Sequence, residues 1–154
     1  MSCNLAWDYP YFKAIRGFSE DCGIQEPISI LDVLAIRCTN LSEVKNAVKD
    51  KEFKRFCIEQ FKLFKEIVRE ATPCAIVVIN AYAREWMINR NFNEEAFDVE
   101  FDEQLGTYRI VSDAVLKGVP IFFSGMLSGR HSIDIGSRER LVWQIRRALK
   151  GNLF

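Results

Sequence analysis

Residues 118–149 read GVPIFFSGMLSGRHSIDIGSRERLVWQIRRAL: an apolar run, a Gly/Ser-rich loop and an amphipathic stretch. The same order begins earlier, where Ala75-Ile-Val-Val-Ile-Asn80 runs into Ala81-Tyr-Ala-Arg84. A short β-branched run that empties into a loop and then a helix is the unit of an open α/β sheet. Such sheets place their ligands at the carboxyl ends of the strands. Two such units in 154 residues predict one α/β domain spanning the chain.

The helices and strands follow from periodicity. Over Lys51–Ala71, Phe53, Phe56, Cys57, Phe61, Phe64, Ile67 and Val68 recur at three- and four-residue steps, with Lys and Glu between them. Tyr9–Cys22 has the same character on a smaller scale, with Gly23 placed to end it. Ile28–Ile36 is a nearly continuous apolar run after Pro27 and reads as a strand buried on both faces, followed by the polar loop Arg37–Asn40. Phe97, Val99 and Phe101 alternate, as do Tyr108 and Ile110 beyond Gly106, which predicts a hairpin at an exposed edge guarded by acids. Pro120–Phe123 reads as the last buried strand, and Ser137 as the N-cap of the closing helix. The predicted architecture is a three-layer αβα sandwich with a mostly parallel central sheet.

Charge narrows the function. Lys+Arg and Asp+Glu balance at 21 each, which argues against nucleic-acid binding through bulk charge. The charge is nevertheless uneven. Residues 91–105 hold six acids and no base, whereas residues 130–150 hold Arg130, Arg138, Arg140, Arg146, Arg147 and Lys150 against Asp134 and Glu139. The five Cys are scattered without a C-x-x-C pair, as expected of reduced cytoplasmic thiols, and His131 is the only histidine, so no His-rich metal site is expected. No cofactor is expected. No apolar run approaches a membrane span and no leader pattern opens the chain, so the expectation is a cytoplasmic protein without a membrane partner.

The candidate site residues sit in the loops. Asn80 either caps the helix after its strand or presents its amide to a ligand. Ser124, Gly125, Ser128 and Gly129 allow backbone N–H groups to approach an anion, although neither P-loop spacing nor a following Lys is present. Arg130 and His131 extend that loop. His131 can serve as an acid or base near neutral pH, but no G-x-S-x-G elbow offers it a serine. Asp32 inside an apolar run is a desolvated carboxylate or a structural one, and Arg37 ends the same run facing the predicted crevice.

Taken in order, these elements resemble the uracil-DNA glycosylase-like superfamily from about Ile28 to Leu149. Asp32-Val-Leu-Ala-Ile-Arg37 lies where the family has an apolar strand ending in a base-reading Asn. Val77-Val-Ile-Asn80-Ala-Tyr-Ala83 resembles its strand-Gly-Ser-Tyr-Ala turn. Phe122-Phe-Ser-Gly-Met-Leu-Ser-Gly129 stands in place of His-Pro-Ser-Pro-Leu-Ser. Leu127 then matches the leucine that wedges into a duplex, and Ser128 the serine after it. The departures are grouped. The water-positioning motif has no counterpart in Met1–Pro27, Arg37 replaces the Asn, and Ser124 or Gly125 replaces the His. Cleaving a flipped base requires a positioned water and a group that stabilises the leaving base, and only Asp32 or Asp8 offers a carboxylate.

The resemblance therefore implies a divergent domain, shortened at its N-terminus and without base-excision activity. It would bind DNA, RNA or a nucleotide-like ligand through Arg37, Asn80, Ser124, Gly125, Leu127, Ser128 and Arg130. Two other classes stay open from sequence. One is a hydrolase or transferase acting on a nucleoside or small metabolite through His131 or Asp32. The other is a protein-interaction domain using the acidic hairpin and exposed aromatics such as Trp7, Trp86 or Trp143. Oligomeric state is left open.

Overall fold

The computed structural model describes residues 9–25, 27–34 and 40–151. Among these residues five helices and four strands follow in the order α1 Pro10–Asp21, α2 Leu41–Ala47, α3 Lys51–Ala71, β1 Ile76–Val78, α4 Ala81–Ile88, β2 Val99–Asp102, β3 Thr107–Ile110, β4 Pro120–Phe123 and α5 Ile135–Gly151.

Local chemistry sets most of these boundaries. Pro10 opens α1 with a preset φ, and Gly23 closes it in the left-handed region at φ +71°. There Gly23 N–H donates to the Glu20 carbonyl at 2.9 Å and Ile24 N–H to that of Ser19 at 3.0 Å. Asp50 caps α3 by accepting from Phe53 N–H at 3.0 Å, and the helix stops at Thr72, before Pro73. α2 was not anticipated, although Asn40 and Glu43 carry the spacing of a capping box. The Asn40 side chain accepts from Ser42 N–H at 3.0 Å.

The strands form one sheet in the order β1-β4-β3-β2. β1 pairs parallel to β4, whereas β4–β3 and β3–β2 are antiparallel, so the fold is α/β but the expectation of a mostly parallel sheet is corrected. The reason lies in chain length: only 111–119 separate β3 from β4, too little for the crossover that a parallel neighbour needs. The expected hairpin is present as β2–β3, but β3 is an interior strand and β2 alone forms that edge. The expected strand at Ile28–Ile36 is also corrected. Residues 28–34 form no strand, Ile30, Leu31 and Asp32 are exposed, and 35–36 lie outside the described residues.

Side-chain alternation divides the core between the two faces of the sheet. Val78, Ile110 and Ile121 join Cys57, Phe61, Phe64 and Val68 of α3 and Trp86 and Met87 of α4. Their neighbours Val77 and Phe122 join Phe18 of α1 and Leu141, Ile145 and Ala148 of α5. Trp86 is buried in the first cluster, so the expectation of an exposed Trp86 is corrected, while Trp7 lies outside the described residues. The loop into β4 is tied to α3 by the nearly buried Asp113. One of its oxygens accepts from Val115 and Leu116 N–H at 3.0 and 2.9 Å, while the other meets Arg69 Nη2 at 2.7 Å. The cap of α5 is Asp134, not Ser137. Asp134 accepts from Ser137 N–H at 2.9 Å and from Ser137 Oγ at 2.6 Å.

Candidate functional site

The parallel register Ile76↔Ile121, Val77↔Phe122, Val78↔Phe123 brings the carboxyl ends of β1 and β4 to one edge of the sheet. Ser124 N–H continues the pairing to the Val78 carbonyl at 2.8 Å, so Ser124 and Asn80 leave the sheet at the same end. Both are engaged locally. The Asn80 carboxamide oxygen accepts from Tyr82 and Ala83 N–H at 2.8 and 3.4 Å, which is the capping role. Ser124 Oγ donates to the Gly125 carbonyl at 2.9 Å.

The loop between β4 and α5 is closed on itself. Met126 and Ser132 form a bridge, and Ile133 N–H donates to the Met126 carbonyl at 2.9 Å. A Cβ on Gly125 would stand 2.9 Å from Ile133 Cγ2, so the neck of this loop admits little beyond glycine there. Leu127 packs against the Phe122–Leu141–Ile145 cluster, and Ser128 is half-buried. Gly129 turns the tip at φ +88°, leaving Arg130 and His131 exposed. Among the described residues no hydrogen bond joins His131 to a serine, a cysteine or an acid. Asp32 is exposed near Tyr11, whose hydroxyl is raised in pKa by burial first and by the Asp32 charge second. Arg37 and Asp8 lie outside the described residues. The structure thus brings Asn80 and Ser124 to one sheet edge and leaves His131 at an exposed loop tip.

At that edge is a crevice of about 260 Å³ between the first turn of α4, the start of β3, the end of β4 and α5. Arg84, Thr107, Tyr108, Phe123 and Gln144 shape it. The Arg84 guanidinium stands 5.2 Å from the Phe123 ring centre. Phe123 meets Tyr108 edge-on at 5.9 Å, and Tyr108 meets the exposed Phe101 at 5.4 Å. This aromatic row follows from register. Phe101 is opposite Tyr108, Tyr108 is opposite Ile121, and Phe123 lies two residues beyond on the same face.

The far wall is held by Gln144, whose amide donates to the Gly106 carbonyl at 3.2 Å. Gly106 has φ +66°, a conformation that favours glycine, and a Cβ there would lie 2.8 Å from Gln144 Nε2, so it would push the Gln144 amide aside. Asp102 fixes the hairpin turn from below by accepting from Arg109 Nε at 2.6 Å and from Gln104 and Leu105 N–H at 2.9 and 3.1 Å. The Arg109 hydrogen bond, followed by that of Leu105 N–H, holds the Asp102 carboxyl below its ordinary range.

Sequence reasoning missed Tyr108, Phe123, Gln144 and Arg84 as a set. Tyr108 and Phe123 were legible as strand residues, but β3–β4 pairing is what makes them neighbours. Gln144 was hidden in a helix read only for its apolar face.

The crevice has a cation and aromatic surface, and its described lining holds no carboxylate and no histidine. It can stack and hydrogen-bond a flat ligand, but it holds no group that would take or give a proton near neutral pH. Among the described residues no cluster of three or more His, Cys, Asp or Glu side chains is placed to hold a metal ion. Among the same residues no helix is long and apolar enough to cross a membrane. No family model, curated protein or solved structure matches the chain.

Proposed function

We propose that the protein is a binding domain for DNA, RNA or a nucleotide-like ligand, and that a base enters the crevice at the carboxyl ends of β1 and β4. The observation that carries this is the Arg84 guanidinium over Phe123, with Tyr108 beside it and the Gln144 amide across from it. Aromatic faces and arginine planes are what proteins use to stack unpaired bases, and an amide supplies hydrogen bonds to a base edge. The volume is below the ~300–1,000 Å³ of drug-sized pockets, which suits a ligand fragment the size of one base.

In this reading the chain is a divergent uracil-DNA glycosylase-like domain without base-excision activity, because the crevice offers no carboxylate to position water. A three-layer αβα arrangement belongs to the same reading and is supported by the apolar clusters on both faces of the sheet. A reducing, cytoplasmic location is supported by the unpaired thiols of Cys22, Cys57 and Cys74.

Calorimetric titration with thymidine monophosphate tests the proposal. Binding should weaken about two- to fivefold in Arg84→Ala, since a cation–π contact at an exposed site contributes roughly 0.5–1 kcal/mol. Equal affinity in wild type and variant, or no heat at millimolar ligand, refutes it.

A further inference from the structure

We infer that the solvent-facing side of α5 is a track for the phosphate backbone of a single nucleic-acid strand. The inference rests on the nucleic-acid reading of the crevice and extends it to a second site on the neighbouring helix.

An open groove of about 700 Å³ runs along α5, bordered by the last turn of α1. Arg138 spans it to Asp21 at 2.7 Å and stands 5.7 Å from the Phe18 ring centre, so this arginine ties the two helices together. The remaining cations are differently placed. Arg146, Arg147 and Lys150 line the groove, Arg140 lies on the same helix, and among the described residues none of the four is in an ion pair. Trp143 lies among them 58% exposed, with the Arg147 guanidinium 5.2 Å from its ring centre. Glu139 is the one acid of α5 on this groove, so cations outnumber acids around Trp143, and an indole left in water there is poorly explained by packing. It matches the combination that binds single strands: a stacking surface beside phosphate-binding charges.

Helical geometry links this surface to the crevice. At about 100° per residue, turning away from Gln144 on the crevice wall brings Arg140 at about 40°, Arg147 at about 60°, Trp143 at about 100°, Lys150 at about 120° and Arg146 at about 160°. The buried Leu141, Ile145 and Ala148 all lie in the opposite sense of rotation. The basic side chains therefore form an arc over the exposed side of α5, from the crevice flank to the groove, interrupted by the single acid Glu139 at about 140°. A membrane surface is a poor match for this arc, because an interfacial helix needs its apolar side free, and that side of α5 is in the core.

The test is fluorescence anisotropy with a labelled oligothymidylate of about twelve nucleotides, alongside calorimetry with thymidine monophosphate. With Arg140, Arg146, Arg147 and Lys150 each displacing one counterion, the logarithmic salt slope should be about −2.8, or roughly a 50-fold loss of affinity between about 50 and 200 mM salt. Arg146→Gln/Arg147→Gln should halve that slope and weaken the oligonucleotide at least several-fold, leaving thymidine monophosphate affinity unchanged. Trp143→Ala should also weaken the oligonucleotide, without changing the slope. All three side chains are exposed, so circular dichroism should report intact folds.

The inference is overturned if the double variant keeps wild-type oligonucleotide affinity and slope, or if polyglutamate of similar length displaces the oligonucleotide equally well. Failure of thymidine monophosphate alone, with salt-dependent oligonucleotide binding retained through α5, would remove the crevice and leave the track. Absence of oligonucleotide binding at about 50 mM salt removes the track.

Discussion

Replacing Asp113 isolates the contact that joins α3 to the turn before β4, and so to the strand whose end forms the crevice. The carboxylate does two jobs through two oxygens: Oδ1 satisfies Val115 and Leu116 N–H, and Oδ2 meets Arg69. Burial raises the Asp113 pKa, but the hydrogen bond from Arg69 and those from the Leu116 and Val115 amides outweigh it, so the carboxyl titrates below its ordinary range. Asp113→Ala leaves the Leu116 amide without an acceptor in a fully buried residue, at a cost of about 1–3 kcal/mol. The ion pair adds only about 1 kcal/mol, because the Arg69 side chain is 36% exposed and is screened. The total is about 2–4 kcal/mol, or roughly 5–15 °C in Tm for a domain of this size. Asp113→Asn keeps an oxygen for both amides and loses only the charge, so it should cost about 1 kcal/mol. Urea denaturation of the three proteins, with the m-value held constant, measures this directly. If Ala and Asn are equally destabilising, capping is not the dominant contribution. If Ala falls within about 0.5 kcal/mol of wild type, the tie is not structural at all.

Other consequences are open to measurement. Glu95 is held low chiefly by the hydrogen bond from Lys65, Asp102 by that from Arg109, and Asp134 by that from the Ser137 hydroxyl. Depressed folded-state values give stability that is present above the ordinary carboxylate range and lost as pH falls through them. Tm should therefore be level above about pH 5 and fall below about pH 4, and a Tm that rises on acidification contradicts these pairings. Burial pushes the Cys22 thiol up to about 11, whereas Cys74 is exposed. Peptide-resolved alkylation at about pH 8 should label Cys74 well before Cys22, since the thiolate is the nucleophile; the reverse order would refute that burial.

The legibility of this fold depended on how local each cause was. α3 was readable to its end residues because its stripe, the Asp50 cap and Thr72-Pro73 all act within a few positions. Asn80 was readable as a cap for the same reason. The run after Pro27 misled because continuous apolar character states only that a segment is sticky, and a strand also requires an open edge to pair with. Among the described residues β1 pairs only with β4, and residues 28–34 add nothing to its other side. Sheet direction was lost at the hairpin. Its alternation was visible, but whether β3 ends the sheet or enters it depends on the Tyr108↔Ile121 and Arg109↔Pro120 pairing, which no local signal encodes. The crevice inherits that gap, since Arg84, Tyr108, Phe123 and Gln144 come from four elements. Asp134 was overlooked as a cap because Ser137 has the same chemistry three residues later, and here the serine donates to the aspartate.

The central claim is that a base occupies the space between Arg84, Tyr108, Phe123 and Gln144. Amide and side-chain NMR shifts on adding thymidine monophosphate test it most directly. Saturable shifts are expected at Thr107 and Tyr108 N–H, at Arg84 Nε–H and at the Gln144 side-chain amide, with those of Thr107, Tyr108 and Gln144 needing several-fold more ligand to saturate in Arg84→Ala. Shifts confined to the Gly129–His131 loop tip, or no shifts at millimolar ligand, would contradict it.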